Sequence, residues 1–305
     1  MIEPAPGGGA AATAHRCGVV AVVGRPNVGK STLVNRLVGE KISIVSPMPQ
    51  TTRNRISGVC GRPGAQIVLL DTPGIHKPRH RMNQSMVDAA VASLSNIDLI
   101  FFMIEAQGMG PGDRHVLSLV KPEGAPVFLL VNKVDRAAKP ALLPILDRAS
   151  REFPFAEIFP LSAKEGDNVD ALVEATIPRL PAGPALFPAD QPTDQPERFL
   201  AAEMIREQIC LHTREEVPHE AAVLVESWEE REDGLVRIEA IVFVEKQNQK
   251  GILIGREGAL LKKMATAARL EIEKILAAKV FLKVWVKVEP GWRDDPTLLR
   301  SLGVD

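Results

Sequence analysis

The chain carries 305 residues, with 37 basic and 38 acidic side chains and a net charge of −1, a length that suits two domains. Its 45% hydrophobic and 25% charged content is that of a globular protein, and no apolar run is long enough to span a bilayer. The three cysteines, Cys17, Cys60 and Cys210, form no C-x-x-C pair, which argues against disulfides or a thiolate metal site and for a reducing cytoplasm.

Met1 to Ala14 is rich in Pro, Gly and Ala and lacks the basic and apolar regions of a signal peptide. Residues 1–15 are expected as a disordered tail. Cys17 to Val23 is a short β-branched run, expected as a buried parallel strand. It leads into Gly24, Arg25, Pro26, Asn27, Val28, Gly29, Lys30 and Ser31, which spell the phosphate-binding loop G-x-x-x-x-G-K-S. Helical spacing follows over Ser31–Val38, with Thr32 in its first turn. Strand, glycine loop and helix are the context the motif requires. Backbone N–H groups and the helix N-terminus favour a phosphate there. Lys30 would reach the β- and γ-phosphates, and the Ser31 hydroxyl would hold Mg²⁺.

Two prolines forbid a regular helix through Ser46 to Gln50. The loop there carries Thr51 and Thr52, either of which could complete a Mg²⁺ shell in a nucleotide switch. Sequence does not separate adjacent hydroxyls, and Thr52 is favoured. A strand is expected at Arg55–Cys60 and another at Gln66–Leu70, ending in Asp71, Thr72, Pro73 and Gly74. Asp71 is placed to hold Mg²⁺. Gly74 lets a backbone N–H approach the γ-phosphate, and the segment from Ile75 to about Asn83 would be released when that phosphate leaves.

Leu99–Ile104 and Pro126–Val131 are further apolar strands. The second ends in Asn132, Lys133, Val134 and Asp135. Asp135 can accept guanine N1–H and N2–H₂ together, a pair of donors adenine lacks. Asn132 would brace neighbouring loops and Lys133 would lay its stem on the base. Glu157–Leu161 ends in Ser162, Ala163 and Lys164, where an N–H could meet guanine O6. All these motifs close predicted strands, where open α/β sheets bind ligands. Helices near 29–38, 84–95, 112–120, 140–152 and 168–180 imply a mostly parallel sheet. The five segments together argue for GTP, and Asp135 argues against an ATP-using kinase.

A proline-rich stretch, Pro178–Pro196, reads as a boundary. Beyond it come a helix at Glu197–Leu211, strands at Ala221–Trp228 and Leu235–Val244, helices around Gly251–Gly258 and after it, and a strictly alternating strand at Val280–Val288. Leu261, Met264, Ala268, Ile272 and Leu276 share a helix face. Gly255, Arg256, Glu257 and Gly258 form a G-x-x-G loop between helices, led in by Ile254. Such a loop lets a nucleic-acid backbone approach closely. Lys246, Lys250, Arg256, Lys262, Lys263, Arg269, Lys274, Lys279, Lys283 and Lys287 make this part basic within a neutral chain. Trp285 is expected to pack in the core.

These residues, with Gln50–Arg53, Trp285–Trp292 and Leu298–Gly303, resemble the Era family of bacterial GTPases, within the TrmE-Era-EngA-like superfamily. The resemblance runs from about Gly18 to Asp305. It implies an α/β P-loop GTPase domain, with a mostly parallel sheet and helices on both faces, at 16–182. A linker at 183–197 and a C-terminal α+β type II KH domain at 198–305 would follow. It implies slow hydrolysis of GTP, with Lys30, Thr52 and Gly74 serving catalysis and Ser31, Thr52 and Asp71 holding Mg²⁺. RNA would be bound by Lys250, Ile254, Gly255, Arg256, Glu257, Gly258, Lys262 and Lys263. The implied partners are the 3′ region of 16S rRNA and the 30S subunit, met by a monomer in the cytoplasm with some peripheral membrane association. Ile75 stands where Ras-like enzymes place a water-orienting glutamine. Some relatives use K⁺ held by an asparagine that Asn27 matches. An RNA chaperone in which GTP is structural is the alternative. A tandem GTPase is disfavoured by the lack of a second phosphate loop.

Overall fold

A computed structural model describes residues 15–48, 51–74, 81–120 and 124–303. The expectations for residues 1–14, Gln50, Ile75 and the start of the segment that follows it therefore lie outside the described residues.

The first half alternates strand and helix. In chain order it runs β1 (Arg16–Gly24), α1 (Lys30–Val38), β2 (Ile56–Arg62), β3 (Ala65–Asp71), α2 (Arg81–Ala92) and β4 (Leu99–Glu105). Then come α3 (Pro111–Ser118), β5 (Val127–Asn132), α4 (Lys139–Glu152), β6 (Glu157–Pro160) and α5 (Val169–Thr176). The six strands lie in the order β2-β3-β1-β4-β5-β6, all parallel except β2, which pairs antiparallel with β3. Successive residues of β1 serve opposite faces. Val20 and Val22 pack with Leu33, Phe101 and Phe128, whereas Ala21 and Val23 pack with Phe102, Leu129 and Val131. Burial on both faces explains why these strands read as unbroken apolar runs. The helix expected to reach residue 180 stops at Thr176 and tightens into a 3₁₀ turn at Ile177–Arg179. Pro178 has no N–H to continue the helix.

The proline-rich boundary is stitched to the first half. Val59 N–H donates to Pro192 O at 2.8 Å, and the Thr193 hydroxyl donates to Ser57 O at 2.6 Å. The Gln66 carboxamide receives Leu186 N–H at 2.8 Å and Phe187 N–H at 3.0 Å, and donates to Phe187 O at 2.8 Å. The connection thus runs along edge strand β2 and satisfies donors that would otherwise face solvent.

The second half comprises α6 (Glu197–His212), α7 (Val217–Glu220), β7 (Ala222–Glu230), β8 (Leu235–Val244), α8 (Gln247–Ile254), α9 (Ala259–Leu276), β9 (Lys279–Val288) and α10 (Pro296–Ser301). Its sheet has the order β7-β8-β9, with β7 antiparallel and β9 parallel to β8. Met264, Ala268 and Ile272 of α9 are buried on it, with Leu261 and Leu276 packed at the margin. Trp285 is half-buried against a cluster that includes Met82 and Met86 of α2, so its packing partners come partly from the other half. Two features escaped the sequence reading: the single turn α7, and α10, whose Asp295 cap accepts from Thr297 and Leu298 N–H.

Candidate nucleotide site and nucleic-acid interface

A cleft of about 670 Å³ opens at the C-terminal ends of β1, β3 and β5. Pro26, Asn27, Gly29, Lys30, Ser31, Thr32, Thr51, Thr52, Gly74, Asn132, Lys133, Asp135, Ser162 and Lys164 line it. Other expected site residues stand behind it. Val28 is buried in the core, and Thr72 donates its hydroxyl to Val22 O at 2.8 Å. Arg25 pairs with buried Asp113 of α3 at 2.6 Å, which ties the loop down.

Lys30 is buried and donates to Gly24 O and Arg25 O at 3.2 and 3.0 Å, so its ammonium sits inside the loop. Burial pushes its pKa down to about 8, against the attraction of Asp71. Gly29 has φ 107°, and a Cβ there would collide with the Asn132 amide, so only glycine lets the loop close. Asn132 links two loops: it donates to Val28 O at 2.7 Å and accepts from Ala163 N–H at 2.9 Å. Lys133 donates to Asn27 O at 2.6 Å and pairs with Glu105, which stretches its stem across the cleft floor.

Asp135 stands on the cleft wall beside Ser162. The Ser162 hydroxyl donates to its Oδ1 at 2.6 Å, and that bond holds the carboxyl below its ordinary range. A fixed, ionised acceptor is what a paired donor edge such as guanine N1–H and N2–H₂ requires. Arg36 supports the opposite wall by donating to Ala163 O at 2.6 Å. No motif letter marks Arg36; only the fold brings it there.

The metal end has a specific signature. The Ser31 and Thr52 hydroxyl oxygens stand 2.9 Å apart. Adjacent corners of an octahedral Mg²⁺ shell, at about 2.1 Å from the ion, are separated by about 3 Å. Thr51 points elsewhere, donating to Met48 O at 2.6 Å and touching the Ser46 hydroxyl at 2.9 Å. Asp71 is fully buried, and neither of its oxygens has a hydrogen-bond partner among the described residues. Burial raises its pKa, which Lys30 opposes; Ser31 and Ser43 lie near enough to weigh on it without hydrogen-bonding to it. A buried carboxylate with both oxygens free fits a divalent cation or its bound water.

In the second half, Gly255 and Gly258 have φ of 71° and 78° and Glu257 has φ 53°, which turns the chain sharply between α8 and α9. Beside the loop lies a groove of about 330 Å³ between α9 and β9. Leu261, Leu282 and Val284 give it an apolar floor, and Lys262 and Arg269 a basic rim. Of the expected RNA-contact residues, Gly258 and Lys262 line the groove, whereas Lys250, Ile254, Gly255, Arg256, Glu257 and Lys263 do not. Arg269, Lys274, Lys283 and Lys287 are paired with glutamates. Lys246, Lys250, Arg256, Lys262 and Lys263 make no ion pair with any described residue. Lys279, at the far end of α9, is likewise without an ion pair, so most but not all of the free positive charge lies on α8, the G-x-x-G loop and the first turn of α9.

The family model described as a 50S ribosome-binding GTPase matches residues 19–133, and the KH domain model matches residues 216–293. The chain is 52% identical to the GTPase Era of Geobacter metallireducens over 290 residues, 94% of this chain and 97% of that one. It is 48% identical to that of Lacticaseibacillus paracasei, over 95% of this chain and 97% of the relative. Among solved structures, Era in complex with MgGDPNP and nucleotides 1506–1542 of 16S ribosomal RNA matches with a TM-score of 0.92. That match is 42% identical and covers 95% of this chain and 99% of the other. A variant of Aquifex aeolicus Era bound to GDP·AlF₄⁻ matches with the same TM-score and identity.

Proposed function

The chain belongs to the Era family of KH-domain GTPases, and we propose that its GTPase cycle switches an RNA clamp that holds the 3′ region of 16S rRNA during assembly of the small ribosomal subunit. The observation that carries this reading is the presence, in one chain, of the 2.9 Å Ser31–Thr52 pair facing orphaned Asp71 and of a G-x-x-G loop with unpaired cations. The related Era bound to MgGDPNP and to nucleotides 1506–1542 of 16S rRNA supports it.

The functional units are residues 16–182 and 198–305, joined by the stitched segment 183–197. Ser31, Thr52 and Asp71 would hold Mg²⁺, which when bound neutralises charge on the transferring phosphoryl oxygens. Lys30 presents its ammonium to the same oxygens, and Gly74 brings its backbone within reach of them. Gly74 has no room for a side chain: a Cβ would lie 2.7 Å from Pro26 Cα. Asp135, with Ser162, Lys133 and Asn132, selects and seats guanine. Arg25, Pro26, Val28, Thr32, Thr72, Pro73, Val134, Ala163 and Lys164 shape the loops around them. RNA would meet Gly255–Gly258, Lys262 and, by charge, Lys250, Arg256 and Lys263, with Ile254 supporting the loop. Intrinsic turnover is slow, on the order of 10⁻⁴–10⁻² s⁻¹. No described helix is long and apolar enough to cross a membrane. On this proposal the protein would work in the cytoplasm and meet the inner face of the membrane peripherally.

The test is RNA affinity in three states, apo, GDP and a non-hydrolysable GTP analogue, at fixed salt, with an oligonucleotide matching the 3′ end of 16S rRNA. Tighter binding with the analogue, lost in Gly258→Asp, is expected. Equal affinity in all three would sink the switch, because a ligand without differential affinity shifts nothing. Asn27 would also hold K⁺ at the phosphates, and hydrolysis should run faster in K⁺ than in Na⁺; equal rates would remove that ion from the site.

A further inference from the structure

The residues flanking Thr52 are anchored in the other half of the molecule. On one side, Thr51 O accepts from the Arg206 guanidinium of α6. Arg206 is buried and is itself held by Glu203, which receives two donors at 2.7 Å. On the other side, Arg53 is buried and donates to Ala221 O at 2.8 Å, His219 O at 3.0 Å and Pro218 O at 3.3 Å. Upstream, Val45 N–H donates to Glu207 Oε1 of α6 at 2.9 Å, and Lys41 pairs with the same carboxylate at 2.5 Å. Ile44 is packed in the second half's core with Ala201, Met204 and Ile205. The loop that offers Thr52 to the cleft is thus gripped from the RNA-binding side, by α6 before Thr52 and by α7 and Ala221 after it.

We propose that Arg206, clamped by Glu203, is a positioning residue for the GTPase site, so that α6 of the RNA-binding half holds Thr52 in its magnesium-facing place. Thr51 uses its own hydroxyl within the loop, on Met48 O and Ser46. Pro47 and Pro49 lack N–H donors, and the tether to the first half at this point is the Asn27 amide, which donates to Pro47 O at 2.8 Å on the far side of Thr51. A buried ion pair adds little net stability over apolar packing of the same shape. It does fix a backbone carbonyl at one place, one residue from a metal-facing hydroxyl. The coupling is reciprocal: whatever RNA does to α6 is felt by the triphosphate, and the triphosphate by RNA.

This inference rests on Thr52 being the magnesium threonine. That contact concerns the triphosphate and its metal, not the base or the diphosphate seated in the phosphate loop. The full chain would be titrated with fluorescent GDP and with a fluorescent non-hydrolysable GTP analogue across a Mg²⁺ series. Arg206→Ala should weaken the analogue about tenfold and raise its Mg²⁺ requirement, while GDP affinity stays within about twofold. Arg206→Lys, which keeps a donor, should recover part of the loss. Glu203→Gln keeps the shape of the clamp but not its charge; it should shift the analogue-to-GDP ratio in the same direction by less, and it decides the matter if Arg206→Ala does not fold. An unchanged ratio, or equal weakening of both nucleotides, would overturn the inference and leave the GTPase reading standing. Wild-type protein that bound the analogue without regard to Mg²⁺ would instead remove the premise itself.

Discussion

Asp135 shows how much a single carboxylate decides. Ser162 donates to its Oδ1 and helps hold the carboxyl below its ordinary range, which keeps it an ionised acceptor on the cleft wall. If Asp135 reads the base, replacing it with asparagine puts a donor opposite guanine N2–H₂, so that two donors face each other. GTP affinity in Asp135→Asn should fall by about 10⁴-fold, and xanthosine triphosphate, which carries a C2 carbonyl at that point, should bind better than GTP in competition. Retained GTP preference would mean that Asp135 does not read the base. His219 is a second residue with a legible consequence. Burial and then the charge of Arg53 push its pKa below the ordinary value, with Glu220 opposing. The folded protein therefore binds fewer protons at this site than the unfolded chain. Its contribution is present above about pH 6.5 and is lost as the pH falls below that. Wild-type Tm should drop between pH 7 and 5.5 by more than that of His219→Gln; parallel drops would exonerate the histidine. Residues in contiguous motifs were legible from sequence because their neighbours in the chain are their neighbours in space. The choice between Thr51 and Thr52 was not, since it depends on which hydroxyl the backbone turns toward Ser31. Arg36, Glu203 and Arg206 were invisible for the same reason: each acts on a loop more than a hundred residues away or across a domain junction.

At the scale of elements, period and punctuation carried the fold. Apolar runs gave the parallel strands, alternation gave β9, and glycines marked the turn into α9, whereas the turn out of it is made by Ala277 at φ 48° and carries no such mark. What they could not give was what an element packs against. The sequence of α6 reads as a one-faced helix, yet from Leu200 to Cys210 only Ala202 is not fully buried, because the helix lies between two halves and presents a polar face, Glu203, Arg206 and Glu207, to a loop. The segment 183–197 is similar. Its prolines announce a boundary, but its tethering depends on Gln66, a buried polar residue inside an otherwise apolar strand. Gln66→Ala leaves Leu186 and Phe187 N–H and Phe187 O without their partner. It should cost about 1–3 kcal/mol and open the connection near residue 186. Limited proteolysis reads this directly: faster cleavage between 183 and 190 with the two halves left intact is the expected result, and a wild-type pattern would show that the edge-strand bonds alone hold the segment.

The molecule as a whole is two cores with two shared seams. Ile44 crosses into the second half's core, and Met82 and Met86 of α2 pack with Ala222, Phe243, Trp292 and Leu299. Between these apolar seams stands Arg53, its guanidinium 5.7 Å from the Trp292 ring centroid and bonded to three carbonyls near α7. Burial and the neighbouring charge of Arg206 lower its pKa to about 9, which still leaves it a cation at working pH. A charged plug of this kind makes docking of the halves all-or-none: withdrawn, it leaves three buried acceptors unpaired, and seated, it satisfies them together. Wild-type protein should therefore melt in a single calorimetric transition. Arg53→Ala, which also removes the partner of the Trp292 face, should lose about 3 kcal/mol at the junction and resolve two transitions, one for each core. Guanine nucleotide added to the variant should raise only the transition of the first half, because a ligand stabilises the unit that binds it and its reach ends where coupling has been cut. If both transitions still rise together, the apolar seams suffice to transmit the nucleotide's effect, and Arg53 is a fastening instead of the link between the GTP site and the RNA-binding half.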